Sequence, residues 1–232
     1  MVIDMKKLLA LVIIFISFGG SAQVSVMGGM NMLKSFSPEK PFGGFHLGIE
    51  IPRDDAISIY GRYSHNFSQS ASFYIPEGAI TLEPRDPSSG LPYAFIGATP
   101  RMNYHIIEGG TRYYLGNGFD YGFSAYGGTN LMVLFNKVRL DYDPYDEVDY
   151  QIYNAQTYVG EGSYFSLGFG LGGGVKYTMA PYGTFYFDLN VNYLILGQPS
   201  SNEVNNTIFG YERLISPLLF NFNLGYRKDF MW

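Results

Sequence analysis

Over most of this chain, bulky apolar residues occupy every second position. The clearest run is "YFSLGFGLGGGVKY", Tyr164 to Tyr177. Its odd positions carry Phe165, Leu167, Phe169, Leu171, Val175 and Tyr177, and its even positions carry Ser166, Gly168, Gly170, Gly172, Gly174 and Lys176. A period of two is that of a β-strand with unlike faces. The same split recurs in "TFYFDLNVNYLIL", where Phe185, Phe187, Leu189, Val191, Tyr193 and Ile195 oppose Tyr186, Asp188, Asn190 and Asn192. "FHLGIEI" sets Phe45, Leu47, Ile49 and Ile51 against His46, Gly48 and Glu50, and "ISIYGRYS" sets Ile57, Ile59, Gly61 and Tyr63 against Ser58, Tyr60, Arg62 and Ser64. "DYGFSAYGGTNLMVLF" and the last segment from Leu218 alternate in the same way. Val24 to Leu33 and His105 to Leu115 are fainter, because Ile106 and Ile107 blur the alternation.

This gives eight strand segments, most of them long enough for the roughly 9–11 residues that a tilted strand needs to cross a bilayer. The second, fourth and sixth connections are short: "PRDD", "GNG" and "APYG". The others, about Lys34–Phe42, Ser68–Asn103, Asn136–Ser163 and Gly197–Ser216, are longer. Tight turns therefore gather at one rim and loops at the other, as in an up-and-down meander. An open sandwich would leave edges to protect, whereas in lipid only a closed barrel satisfies every strand backbone group. The expected fold is all-β: an eight-stranded antiparallel up-and-down transmembrane β-barrel.

Composition supports this reading. Aromatics make up 18% of the 232 residues, with 21 Tyr and 19 Phe, and there are 29 Gly. Charged residues are only 15%, against about 25% in a typical soluble domain. The absence of cysteine excludes disulfides, thiol catalysis and Cys-ligated metal. The net charge of −5 comes without basic blocks, so there is no nucleic-acid footprint. At the N-terminus, Lys6 and Lys7 precede an apolar stretch from Leu8 to Phe18 and the small residues Gly19 to Ala22. This is the layout of a secretory signal peptide. Residues 1–22 are read as that peptide and 23–232 as the barrel, placed in the bacterial outer membrane.

An eight-stranded barrel is narrow enough for its inward side chains to fill it. By parity the inward set includes Glu50, Arg62, Glu108, Arg112, Lys176, Asp188 and Arg227. Charges removed from water are expected to pair with one another, so this set is read as a polar plug rather than a pore. The inward glycines Gly168 to Gly174 leave a bare wall, against which Arg62 or Arg112 with Tyr126 are expected to lie. "GFGLGG" does not open a helix, as a phosphate-binding loop requires, and nothing else in the chain calls for a cofactor.

Two other groups carry candidate chemistry. The loop "DYDPYDEVD" offers Asp141, Asp143, Asp146 and Asp149 as oxygen ligands for a hard cation, though without the spacing of a calcium loop. His65 and His105 face outward on adjacent strands, where they could act with Ser64 or Ser68 as a nucleophile on lipid headgroups; no nucleophile motif surrounds them. Within Ser68–Asn103, "ASFYIPEGAITLEP" and "LPYAFIGATP" are strand-like. They either extend the barrel as a hairpin, exposing Phe73, Tyr74, Ile75, Tyr93, Phe95 and Ile96 to partners, or fold over its mouth.

The signal segment ending "GGSAQ", the strand "IIEGGTRYYLG", the run "GFGLGGGVKY" and the terminal aromatic together resemble small outer-membrane β-barrels of Gram-negative bacteria, of the OmpA/OmpX type. "SAQ" and "GGTRYYLG" are similar to Bacteroidota members, including barrels that accompany type IX secretion. The resemblance implies a non-enzymatic envelope protein, structural or an accessory subunit. Its implied partners are outer-membrane lipid, lipopolysaccharide, other envelope proteins and the barrel-assembly machinery. In the last strand Tyr226, Phe230 and Trp232 share the outward parity, where an aromatic girdle belongs. The resemblance makes these three the assembly signal.

Overall fold

The computed structural model describes residues 23–36, 40–70, 75–153, 162–180, 182–196 and 216–230. Residues 1–22, the expected signal peptide, and Trp232 lie outside the described residues. Among the described residues ten strands form: β1 (Val24–Ser35), β2 (Phe42–Pro52), β3 (Ile57–Ser70), β4 (Ile75–Pro84), β5 (Ala94–Gly116), β6 (Gly122–Tyr142), β7 (Tyr150–Ile152), β8 (Gly162–Met179), β9 (Gly183–Leu196) and β10 (Leu218–Phe230). Eight of them close a ring in the order β1, β2, β3, β5, β6, β8, β9, β10. Every ring pair is antiparallel, and β10 returns to β1 in unbroken register from Val24↔Phe230 to Ser35↔Leu219. The expected barrel is therefore present. Among the described residues no helix is long and apolar enough to cross a membrane, which does not bear on a crossing made by strands.

The narrow rim is made by turns that cap their own backbone. In the β2–β3 turn the Asp54 carboxylate accepts from the backbone N–H groups of Ala56 and Ile57, at 2.9 and 2.8 Å. In the β5–β6 turn Gly116 and Gly118 have φ of 81° and 69°, a region open to glycine at little cost. That turn folds inward and places Phe119 inside the barrel base, 1% exposed.

The opposite rim departs from the expected loops. β3 continues to Ser70, β5 begins at Ala94 and β6 runs on to Tyr142, so much of what reads as long loop is strand standing above the ring. β4 pairs with the head of β5, with Ile80↔Ile96 and Leu82↔Ala94 in register, and β7 pairs with β4. The piece is both of the expected things at once. It extends the sheet as a hairpin, and its inner residues Ile75, Ile80, Leu82, Ile96 and Ala98 join Leu33, Phe42, Leu194 and Leu219 of the ring in one buried cluster. Ile75 and Ile96 are thus core rather than contact surface, while Tyr93 and Phe95 stay exposed. Phe73 and Tyr74 lie outside the described residues.

The ring's outer face carries Phe45, Leu47, Ile49, Ile59, Ile107, Tyr113, Leu131, Phe135, Phe169, Leu171, Phe185, Tyr193 and Leu224, all exposed. An apolar band of this extent has no counterpart on a monomeric soluble domain. It is the outward band of a transmembrane β-barrel.

Candidate functional site: the charged interior and the outer rim

The period of two sends alternate side chains of each ring strand into a space too narrow for bulk water. In the lower half these side chains are charged. Glu50, Arg62, Glu108, Arg112, Lys176, Asp188 and Arg227 are each no more than 4% exposed. Arg62 bridges two carboxylates, donating to Glu108 at 2.9 and 3.1 Å and to both oxygens of Asp188 at 3.2 Å. Arg112 donates to Asp188 at 2.7 Å and to Glu50 at 2.8 Å. Its guanidinium lies 4.4 Å from the ring centroid of Tyr60 and 4.9 Å from that of Tyr126, as cation–π contacts require.

Neutral donors fill the remaining lone pairs. Glu108 accepts from Tyr60, Asn130 and Asn190, Asp188 from Asn223 at 2.7 Å, and Glu50 from Ser58 and Tyr114. Buried carboxylates held this way are tied by charge and by hydrogen bonds together, which is what offsets their desolvation. Because these partners sit on six of the eight ring strands, the network ties the wall in register. A void lined by Tyr60, Arg112, Tyr126, Gly128, Gly172 and Asn190 has room for about 10 Å³, the space of one water.

At the base, Lys176 and Arg227 donate to the Phe119 carbonyl at 2.7 and 3.1 Å, and the Arg227 guanidinium lies 3.6 Å from the Phe119 ring centroid. Reading the sequence by parity misses this residue, since it sits in a turn. The available signal is a lone large apolar residue among Gly116, Gly118 and Gly122. Phe119→Ala is expected to lower stability by about 3–5 kcal/mol, the usual cost of emptying a buried Phe site, measured as the shift in denaturant midpoint of the barrel in micelles.

The upper interior differs from the expected polar plug. Here Met102, Tyr104, Ile106, Met132, Leu134 and Val138 point inward and are buried. The barrel is charged below and mostly apolar above, where Ser64, Asn66, Asn136 and Ser166 are buried among the apolar residues and β4 covers the cluster.

The inward glycines are covered, though mostly by neighbours rather than by the facing wall. A Cβ at Gly174 would lie 2.7 Å from the Tyr126 ring, and one at Gly170 would meet Asn192 and Asn130. Arg112 stacks on Tyr126 one layer further in, while Arg62 is engaged with its carboxylates.

The acidic loop does not form the expected cation site. Asp141, next to last in β6, pairs with Arg101 at 3.0 Å. The Asp143 N–H donates to the Gly97 carbonyl, and Asp146 accepts from the N–H groups of Val148 and Asp149 at 2.9 and 3.4 Å. Strand pairing and turn capping spread these carboxylates apart. Among the described residues no group of three or more His, Asp or Glu is placed to hold a metal ion.

The histidines divide between the two faces. His46 is 2% exposed and bonds Tyr186 inside the barrel. His65 and His105 meet on the outer face. Ser64 is fully buried on the opposite face of β3 from His65, so it cannot serve as that pair's nucleophile. Tyr226 donates to the Tyr182 carbonyl and packs its ring on Phe185 at 5.3 Å, and Phe230 stays exposed at the seam with β1.

An eight-stranded transmembrane β-barrel with a salt-bridged base and an apolar cap is the class these features define. No family model matches the chain, and no curated protein matches it. Among solved structures it is similar to neisserial surface protein A, at 13% identity over 91% of this chain and 100% of that one, with a TM-score of 0.48. It is also similar to the attachment invasion locus protein Ail of Yersinia pestis, solved with the heparin analogue sucrose octasulfate, at 14% identity over 90% and 99% of the two chains and a TM-score of 0.40. The outer membrane protein OprG from Pseudomonas aeruginosa gives 14% identity, 89% and 96% coverage and a TM-score of 0.40. At these identities and scores none of their properties transfers to this chain.

Proposed function

We propose that this chain is a non-enzymatic outer-membrane β-barrel protein that serves as a structural or accessory subunit of a cell-envelope complex. The observation that carries this reading is a filled interior inside an apolar outer belt. Six buried charges are paired with one another below, Lys176 is held by the Phe119 carbonyl, and an apolar cluster occupies much of the barrel above. Such an interior offers no wide aqueous path, which argues against a solute channel. The surfaces left for work are the lipid-facing belt and the projecting β4–β5–β6 sheet, where Leu91, Tyr93, Phe95 and Tyr153 are exposed. The similarity of "GGTRYYLG" and "SAQ" to Bacteroidota sequences makes type IX secretion barrels the first companions to test. In the same reading, residues 1–22 are a cleaved leader and the aromatic C-terminus is the address for the assembly machinery.

Native purification in mild detergent tests the assignment: co-recovery of other envelope proteins is expected, and recovery of the barrel alone counts against an accessory role. Planar-bilayer recording is expected to give no discrete conductance steps. A reproducible unitary conductance that is abolished by denaturing the protein would overturn the closed-interior reading.

A further inference from the structure

His65 and His105 form a cluster that none of the roles above uses. They are direct partners across the β3–β5 pair, the last regular position but one before the register shifts between Asn66 and Gln69. Their Nδ1 atoms are 3.3 Å apart and their ring centroids 4.6 Å. Outside them the belt gives way to polar positions, with Asn103 and Arg101 next on the outward face of β5. The rings of Phe45 and Phe67 flank His65 at 5.5 and 5.6 Å.

The chemistry of this contact is specific. A neutral imidazole has one N–H and one lone pair, and two Nδ1 atoms face each other here. The Asn103 side-chain amide lies 3.4 Å from His105 Nε2. The amide nitrogen faces the ring here; turned to present its oxygen, the amide accepts the Nε2 proton and leaves Nδ1 as the unprotonated nitrogen, the device by which an outer partner fixes the tautomer of a ligating histidine. Two imidazole nitrogens on one tetrahedral zinc, each at about 2.0–2.1 Å, stand about 3.3–3.4 Å apart. That is the separation already present. With no ion bound, the same 3.3 Å contact is a hydrogen bond between the two imidazoles.

We propose that His65 and His105 form a binding site for a divalent transition-metal ion, Zn²⁺ or Cu²⁺, on the outer face of the barrel at the loop-side edge of the belt. Imidazole is a preferred donor for both ions. Tyr63 Oη lies 2.7 Å from His105 Nδ1 and donates to that nitrogen while the site is empty, so a bound ion takes the lone pair from this hydroxyl. The other coordination positions open outward. A bound ion clamps β3 to β5 where backbone pairing is about to be interrupted.

The test uses the refolded barrel in detergent micelles, without a histidine tag, titrated with Cu²⁺. One ion per chain is expected, with an electron paramagnetic resonance spectrum showing two equatorial nitrogens. His65→Gln and His105→Gln should each weaken binding by about 10²-fold, the loss of chelation by a second tethered ligand. Zn²⁺, the weaker binder at an imidazole site, should displace the Cu²⁺ signal only in large excess, and without Cu²⁺ it should protect both histidines of the unaltered protein from diethyl pyrocarbonate, a readout that needs no variant to fold. A single-nitrogen spectrum, unprotected histidines, or unchanged Cu²⁺ affinity in the double variant would overturn the proposal.

Discussion

Asp188→Ala is expected to destabilise the barrel by about 3–5 kcal/mol, the cost of removing one partner from a buried ion pair. Asp188 is the carboxylate shared by Arg62 and Arg112. Its loss leaves two guanidinium groups in the same low-dielectric space with two carboxylates, Glu50 and Glu108, and Glu50 is also engaged by Arg227. The uncompensated charge, rather than the lost contact, sets the magnitude. Asp188→Asn keeps a hydrogen-bond acceptor for Asn223 and Tyr126 while removing the charge, so it should recover only the smaller, neutral part of the loss. Salt separates this account from a surface effect. At about 1 M salt the screening length falls to about 3 Å for exposed charges, yet pairs with side chains at most 5% exposed should respond little. Urea unfolding in micelles at low and high salt measures both quantities. A loss for Asp188→Ala below about 1 kcal/mol would mean that the interior charges are hydrated and the network is not what holds the wall.

How much of this was legible in the sequence depended on contrast between the two faces of each strand. Where one face is glycine or charge and the other aromatic, as in β8 and β9, parity alone assigned Lys176 and Asp188 to the interior. Where the interior itself is apolar, both faces look alike. Ile106 is buried in the upper core and Ile107 is exposed on the belt, so the blurred alternation at that point marks the change from polar to apolar filling. The same loss of contrast hides the upper ends of β5 and β6, where Met102, Val138 and Leu140 point inward, so that strand reads as loop. Phe119 was out of reach for a different reason: a turn has no parity. The pairing of His65 with His105 needed register, which depends on where β3 and β5 are anchored relative to each other. Parity gave only the shared face.

Gly128→Val should prevent the barrel from closing, whereas Gly127→Val, one residue away, should be tolerated. The two glycines lie on opposite faces of β6. At Gly128 an added Cβ would fall within the van der Waals radius of the Thr111 carbonyl oxygen, with the Thr111 carbon 2.8 Å and the Arg112 Cα 3.3 Å away. All three are backbone atoms of β5, so no rotamer change relieves the clash; β5 and β6 must part. Gly128 also faces the space where Arg112 is stacked between Tyr60 and Tyr126. A valine there displaces the guanidinium that joins Glu50 to Asp188, adding lost ion pairing to overpacking, which alone costs about 1–3 kcal/mol. At Gly127 the nearest atom to a new Cβ is the Gly172 carbonyl oxygen at 3.5 Å, an ordinary contact. The side chain would join the belt, where apolar area is favourable. Folded and unfolded barrels separate by migration on an unheated gel. Gly128→Val should run only at the unfolded position and Gly127→Val at the folded one. Equal folded fractions would show that the close approach of β5 and β6 at this point does not constrain the ring.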